Sequence, residues 1–316
     1  HRDLHSFPTR RSSDLGTGDD NGIFARRFDS DGTPKGSVFL VNETSASDQH
    51  RADVAIAADG SFVVAWRDDA TGGRVMARRF DALGAGSAES LVAANFLGGS
   101  PNNPSVAMDA AGRYVIAYEY KALIGSNHGI AMQAFNADGS LDGALQYVTS
   151  SLFYDNTHPD VTRNDANAYV VSWTVDGKDG DDEGIYFRAY QNGAPVTGET
   201  RANIYTNNSQ QRSAIALSNS GKFVIAWDGE RNAGNGDDAS ARTFYWAEAV
   251  APNTAPVLDT AIAPALDAIN EDAPAPVGAV GSLISSVVSL KLSGSGPENV
   301  SDTDIAPLIG IALVAV

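Results

Sequence analysis

One stretch of nine residues occurs four times along the chain and sets the spacing of everything around it. It reads ADGSFVVAW at 58–66, AAGRYVIAY at 110–118, DANAYVVSW at 165–173 and NSGKFVIAW at 219–227. Its closing aromatics are 52, 55 and 54 residues apart: Trp66, Tyr118, Trp173 and Trp227. A repeat of this length is one supersecondary unit, which buries its apolar side only by stacking on its neighbours. We therefore expect the four aromatics to pack between repeats.

Each period contains four short strands, which we call a, b, c and d. In the first complete period they are predicted at 52–59, 61–66, 74–81 and 87–93, separated by turns rich in Gly and Asp. Four antiparallel strands in about 50 residues are typical of a β-propeller blade, whereas an immunoglobulin-like unit needs about seven strands. The sequence therefore predicts an all-β fold.

From Gly16 the order is c-d, then a-b-c-d three times, then a-b-c to Trp246. This gives a partial β-propeller of three full and two partial four-stranded blades. Closure usually needs more blades, so we expect further blades to precede this segment. The alternative is a four-bladed ring in which residues 39–42 complete the last blade.

The charge balance limits the partners of the chain. Asp and Glu number 39 against 22 Lys and Arg, and the net charge is -17. Such a surface repels nucleic acid and anionic lipid and attracts divalent cations. There is no cysteine and no stretch long enough to span a membrane, so the sequence predicts neither disulfides nor a membrane span.

The two ends differ from the repeats. Residues 1–15, HRDLHSFPTRRSSDL, resemble a translated sequencing adapter, so we treat them as a non-native or disordered tail. Residues 16–250 hold the blades, and 251–316 are predicted to form a Pro/Ala-rich linker and an incomplete β-sandwich module.

The phrases NTAPVLD and ENVSDTDIAPL in this last region resemble the cadherin-like, immunoglobulin-type modules of large bacterial surface proteins. The repeats also resemble the propeller repeats of such adhesin-like proteins. The resemblance implies a calcium-associated turn at Ser301, Asp302 and Asp304.

Polar residues precede strand a at one position in every blade. The aligned segments are QHRADVA, PNNPSVA, NTHPDVT and QQRSAIA. The residues at that position are Arg51, Asn103, His158 and Arg212. Those two residues later are Asp53, Ser105, Asp160 and Ala214. If strand a is innermost, these residues surround the mouth of the channel. Cations and carboxylates converging there could bind an acidic sugar or act as acid and base. The alternative is a set of solvated loop residues.

A second candidate site lies in the b-to-c loop of the third complete blade. Asp179, Asp181 and Glu183, followed by Gly184, resemble the opening of a calcium-binding loop, although Tyr190 occupies the place of the closing acid. Calcium would be structural there, and it is the only cofactor that the sequence suggests. The alternative is a set of ordinary Asp-Gly turns.

Two functions remain open from the sequence. The preferred hypothesis is a non-catalytic segment of an exported bacterial surface protein, extracellular or on the cell surface, which binds a glycan or protein ligand in adhesion. The alternative is a carbohydrate-active propeller enzyme, a glycosidase or lyase, with its acid and base among Asp53, Asp160 and His158. The repeats lack the unique inserted loops that usually break symmetry at an active site, which favours the first. We accordingly expect no enzyme activity.

Overall fold

The repeat of the sequence becomes a repeat of antiparallel sheets in a computed structural model of the chain. The structure describes residues 21–44, 46–95, 99–121, 127–229, 238–245, 257–258 and 300–301. The chain divides into two compact units, His1–Trp246 and Ala247–Val316. Residues 1–15 and nearly all of the predicted C-terminal module, with Asp302 and Asp304, lie outside the described residues.

The first unit contains eighteen described strands in five sheets, which we number as blades 1 to 5. Blade 1 has β1 (Phe24–Phe28) and β2 (Pro34–Leu40). Blade 2 has β3 (Gln49–Ile56), β4 (Phe62–Asp68), β5 (Arg74–Phe80) and β6 (Ser90–Ala93). Blade 3 has β7 (Asn102–Met108), β8 (Tyr114–Lys121), β9 (His128–Phe135) and β10 (Gln146–Tyr147).

Blade 4 has β11 (Asn156–Arg163), β12 (Ala168–Asp176), β13 (Glu183–Gln191) and two short pieces on β13, β14 (Ala194–Pro195) and β15 (Thr200–Arg201). Blade 5 has β16 (Gln210–Leu217), β17 (Lys222–Gly229) and β18 (Asp238–Tyr245). The predicted order of c-d, three times a-b-c-d and a-b-c is confirmed, and the fold is a partial β-propeller. In the second unit, Val257–Leu258 (β19) pairs with Val300–Ser301 (β20).

The predicted four-bladed alternative is wrong. It required residues 39–42 to complete the last blade, yet Phe39 pairs with Ala25 inside blade 1. β18 pairs only with β17 among the described strands.

Each of blades 2 to 5 is fixed by its a-b hairpin and by a pair of stacked rings. The hairpin turn needs a left-handed residue, which is Gly112 in blade 3 (φ 84°) and Asn167 in blade 4 (φ 60°). The aromatic that begins strand b stacks on the aromatic that ends strand c, with centroids 4.7 to 5.3 Å apart: Phe62 on Phe80, Tyr114 on Phe135, Tyr169 on Tyr190 and Phe223 on Phe244. These pairs hold strands b and c in register.

The hydrophobic core lies between blades. Four buried clusters fill the four interfaces, and the closing aromatic of strand b points from each blade toward the preceding one. These aromatics are 1, 4, 0 and 7 % exposed: Trp66, Tyr118, Trp173 and Trp227. Their predicted role in the core is therefore confirmed.

The first strands of successive blades lie side by side. β3 contacts β7, β7 contacts β11 and β11 contacts β16, which is the arrangement expected of the innermost strands. They therefore bring together the residues that were aligned in the sequence. No helix in the described part of the chain is long and apolar enough to cross a membrane.

Candidate active site

The residue predicted at the channel mouth occupies a β-bulge in each of the four blades that have a strand a. The a-b pairing gains one residue there, as between His50 and Asp53 in blade 2. The bulged residues have φ angles of 56°, 44°, 51° and 53°: Arg51, Asn103, His158 and Arg212. A left-handed backbone costs about 1 to 3 kcal/mol at a residue other than glycine, so surrounding contacts must hold it.

Part of that support comes from strand b of the preceding blade. Glu119 accepts the His158 N–H at 2.7 Å, and Thr174 accepts the Arg212 N–H at 3.1 Å. Glu119 is 3 % exposed and also accepts an amide hydrogen of Asn103. Both supporting residues directly follow the closing aromatic of strand b, a constant position that sequence reasoning overlooked.

The residues two places after the bulges link neighbouring inner strands. Asp53 accepts the N–H of Val106 in the next blade at 2.7 Å. Asp160 accepts the N–H of Ile215 in the next blade at 2.8 Å and the hydroxyl of Ser105 in the preceding blade at 2.8 Å. The inner strands are thus joined through side chains.

Ser105 brings the two aspartates into one cluster. Its hydroxyl donates to Asp160 and is near enough to Asp53 to oppose the rise in the pKa of that carboxyl. Burial raises the pKa of Asp160 to about 6, hydrogen bonds from Ile215 and Ser105 oppose this, and the charge of Asp53 adds to it. Burial also raises the pKa of Asp53. A carboxyl that titrates close to neutrality can donate and recover a proton in a reaction.

This shift predicts a pH dependence of stability. A raised pKa in the folded state stabilises the fold at low pH, and that stability is lost as the pH rises through about 6. We expect the free energy of unfolding to fall by about 1 kcal/mol between pH 5 and pH 8. Denaturant titrations at the two pH values measure this change. Asp160→Asn should remove most of it, and an equal fall in that variant would show that other groups are responsible.

The six charged or amide residues among those predicted at the channel mouth fall into two groups. Asp53 and Asp160 belong to the inner carboxyl cluster, where both are only partly exposed. The side chain of Arg51 binds that of Asn103, while His158 and Arg212 are exposed at their own bulges. The described contacts therefore join Arg51 to Asn103 and Ser105 to Asp160.

The acidic loop of blade 4 binds the loop that connects blade 4 to strand a of blade 5. Asp179 accepts the side-chain amide of Asn203, Asp181 the N–H of Asn208 and Glu183 the hydroxyl of Ser209. Among the described residues, no group of three or more His, Asp or Glu is placed to hold a metal ion. Calcium binding at Asp179, Asp181 and Glu183 stays a prediction.

Comparison with known proteins gives matches of fold. No family model and no curated protein sequence matches the chain. An α-L-arabinanase from Penicillium chrysogenum complexed with arabinobiose is 14 % identical over 71 % of this chain and 67 % of its own, with a TM-score of 0.47. An endo-arabinase from Bacteroides thetaiotaomicron is 13 % identical over 67 % and 81 %, with a TM-score of 0.44. A polysaccharide lyase, an ulvan lyase, is 8 % identical over 67 % and 59 %, with a TM-score of 0.45.

These comparisons correct the preferred functional hypothesis. The expectation of a non-catalytic adhesion segment, and with it of no enzyme activity, is contradicted, because the similar structures are glycoside hydrolases and a polysaccharide lyase. They give no support to the resemblance to adhesins and cadherins. At these identities the similarity concerns the fold, so any assignment of activity must rest on the side chains of this chain.

Proposed function

We propose that this propeller is a carbohydrate-active enzyme that cleaves glycosidic bonds at its inner strands. The observation that carries the proposal is the cluster of Asp53, Ser105 and Asp160, in which a carboxyl with a pKa of about 6 lies beside a second carboxyl. Paired carboxyls with different proton affinities are what glycoside hydrolysis uses.

The two aspartates have different parts in this proposal. Asp160, protonated, donates its proton to the glycosidic oxygen as the bond from the anomeric carbon to that oxygen breaks. Asp53 accepts a proton from the water that adds to the anomeric carbon, so that one water is consumed for each bond broken. Ser105 is a positioning residue, because its hydroxyl donates to Asp160 and opposes the rise in the pKa of Asp53.

The mouth supplies groups for holding a glycan. Arg51, His158 and Arg212 are exposed at equivalent bulges of different blades. Cationic and amide side chains of this kind bind the hydroxyls and carboxylates of sugars. The bulged backbone fixes the direction in which each side chain leaves its strand, so a sugar chain entering the mouth would meet groups from several blades.

Hydrolysis assays test the proposal. We expect new reducing ends from at least one member of a polysaccharide panel that includes linear arabinan and ulvan, with a rate that falls above about pH 6 as Asp160 loses its proton. Asp160→Asn should lower the rate by about 10²- to 10⁴-fold. Asp59→Asn is the matched control, because Asp59 is exposed at the a-b turn of blade 2 and should keep the full rate.

Two results would overturn the proposal. One is the absence of product from every polysaccharide of the panel. The other is an Asp160→Asn variant that melts like the wild type and retains its rate.

A further inference from the structure

The chain places basic side chains at positions where glycine would cost least. The four bulges at the channel mouth have left-handed backbone, which glycine adopts without strain. Where the same backbone region closes the a-b hairpins, the residue is glycine in three blades and asparagine in the fourth: Gly60, Gly112, Gly221 and Asn167. At the bulges, three of the four residues are instead Arg51, His158 and Arg212, all exposed. A strained residue whose side chain is exposed indicates that the side chain has a function.

The three basic side chains are available to a ligand. His158 and Arg212 bind the preceding blade through their backbone N–H groups, which donate to Glu119 and Thr174. Among the residues that the structure describes, none forms a hydrogen bond or an ion pair with the side chain of His158 or Arg212. Arg51 commits one guanidinium nitrogen to Asn103. The fold therefore uses the backbone of these residues more than their charge.

Most of the acids beside these bases are already occupied. Glu119 is 3 % exposed and accepts one backbone N–H and the amides of two asparagines. Asp53 and Asp160 each accept two backbone N–H groups. Asp228, which is equivalent to Glu119 in blade 5, is an exposed acid. At the bulges and directly after the closing aromatics, two exposed guanidiniums thus occur with one exposed carboxylate, in a chain of net charge -17.

We propose that the glycan bound at this mouth is anionic, and that Arg51, His158 and Arg212 bind its carboxylate or sulfate groups. This inference rests on the proposed function and names the class of its substrate. A guanidinium binds such a group through two parallel N–H donors, and charge-assisted bonds are about twice as strong as neutral ones. Exposed charges more than about 8 Å apart are largely screened at physiological salt, so these direct contacts outweigh the net charge of the chain.

The position of the bases relative to the carboxyl cluster suits this division of roles. Asp53 and Asp160 come two residues after Arg51 and His158, which is at most about 7 Å along a strand. That distance is comparable to the length of one sugar unit. A base at a bulge would then bind the acid group of one sugar while the bond to the neighbouring sugar lies at the carboxyl cluster.

Isothermal titration calorimetry with three oligosaccharides of equal length tests the class of ligand. The probes are an oligogalacturonate with carboxylates, a carrageenan oligosaccharide with sulfates and a neutral arabino-oligosaccharide. The full wild-type chain is titrated at pH 8, where Asp160 is ionised and cleavage is expected to be slow. We expect at least one anionic probe to bind at least tenfold more tightly than the neutral probe. The tighter of the two anionic probes identifies carboxylate or sulfate as the group recognised.

Substitution of the arginines separates the effect of charge from that of the fold. Arg51→Gln and Arg212→Gln should each weaken binding of the anionic probe about tenfold and leave binding of the neutral probe unchanged. Arg201→Gln is the matched control, because Arg201 is exposed in β15 of blade 4 and its variant should bind like the wild type. Arg212→Gly should lose the same affinity without lowering the urea midpoint of unfolding, since glycine adopts the left-handed backbone without strain.

Two results would overturn the inference. One is that neither anionic probe binds more tightly than the neutral probe. The other is that the Arg51→Gln and Arg212→Gln variants unfold like the wild type and bind the anionic probe unchanged. Cleavage is measured separately. An anionic glycan that is bound but never cleaved contradicts the proposed hydrolysis and leaves this inference standing. A neutral arabinan that is cleaved while no anionic probe binds supports the hydrolysis and overturns this inference.

Discussion

Replacing Trp173 by alanine is expected to lower the free energy of unfolding by about 3 to 5 kcal/mol. The indole is 0 % exposed in the cluster between blades 3 and 4. Its Nε1–H also donates to Asn156 Oδ1 at 3.1 Å, and Asn156 is itself 2 % exposed. The variant therefore loses packing, opens a cavity and leaves a buried acceptor without its donor.

Urea unfolding followed by fluorescence and by circular dichroism measures this cost. Because blades interact only with their neighbours, damage at this interface should also uncouple blades 4 and 5 from blades 1 to 3, which lowers the denaturant slope or separates the transition into two. Leu83→Ala, at an exposed turn, should change the free energy by less than about 0.5 kcal/mol. A Trp173→Ala variant within that range of the wild type would show that the interface contributes little.

The architecture was predictable because the features that determine it are local and repeated. The alternation of large and small apolar residues from Phe62 to Trp66 specifies a strand with two buried faces. Its recurrence every 52 to 55 residues specifies a stack of such units. Neither step depends on knowing which residues meet across space.

The bulges were not predictable from the same pattern. Left-handed backbone is usually indicated by Gly or Asn, but three of the four bulged residues are Arg51, His158 and Arg212. Their conformation follows from strand pairing and from acceptors such as Glu119 in the neighbouring blade. Alignment of the repeats found the right position, yet it contained no information on the backbone there.

The sequence alignment grouped the residues of the candidate site, but it did not predict the contacts between them. Alignment placed Asp53, Ser105 and Asp160 at equivalent positions, which predicts a ring of separate side chains. The structure instead links each residue to the next blade: Asp53 to Val106, Ser105 to Asp160 and Asp160 to Ile215. Bonds between blades depend on the distance between inner strands, which no local pattern contains.

A buried ion pair between blades 3 and 4, on the face of the a-b turns, gives the second large prediction. Asp109 and Arg163 have side chains that are 0 % exposed, and Arg163 Nε donates to Asp109 Oδ2 at 3.1 Å. Arg113, which is 32 % exposed, donates to the same oxygen at 2.8 Å. Asp109→Asn is expected to lower the free energy of unfolding by about 3 to 5 kcal/mol, since a guanidinium is left buried without its counter-charge.

Two further variants isolate the charge as the cause. Arg113→Met removes the exposed partner of the same oxygen and should cost less than about 1 kcal/mol. Arg163→Met in the Asp109→Asn background removes the stranded charge and should restore most of the stability, because a buried ion pair contributes little beyond what apolar packing provides. Asp109 also accepts the N–H groups of Ala111 and Arg113 through Oδ1, which an asparagine oxygen can still do. If the double variant is no more stable than Asp109→Asn, the loss comes from the turn, and the pair does not hold blades 3 and 4 together.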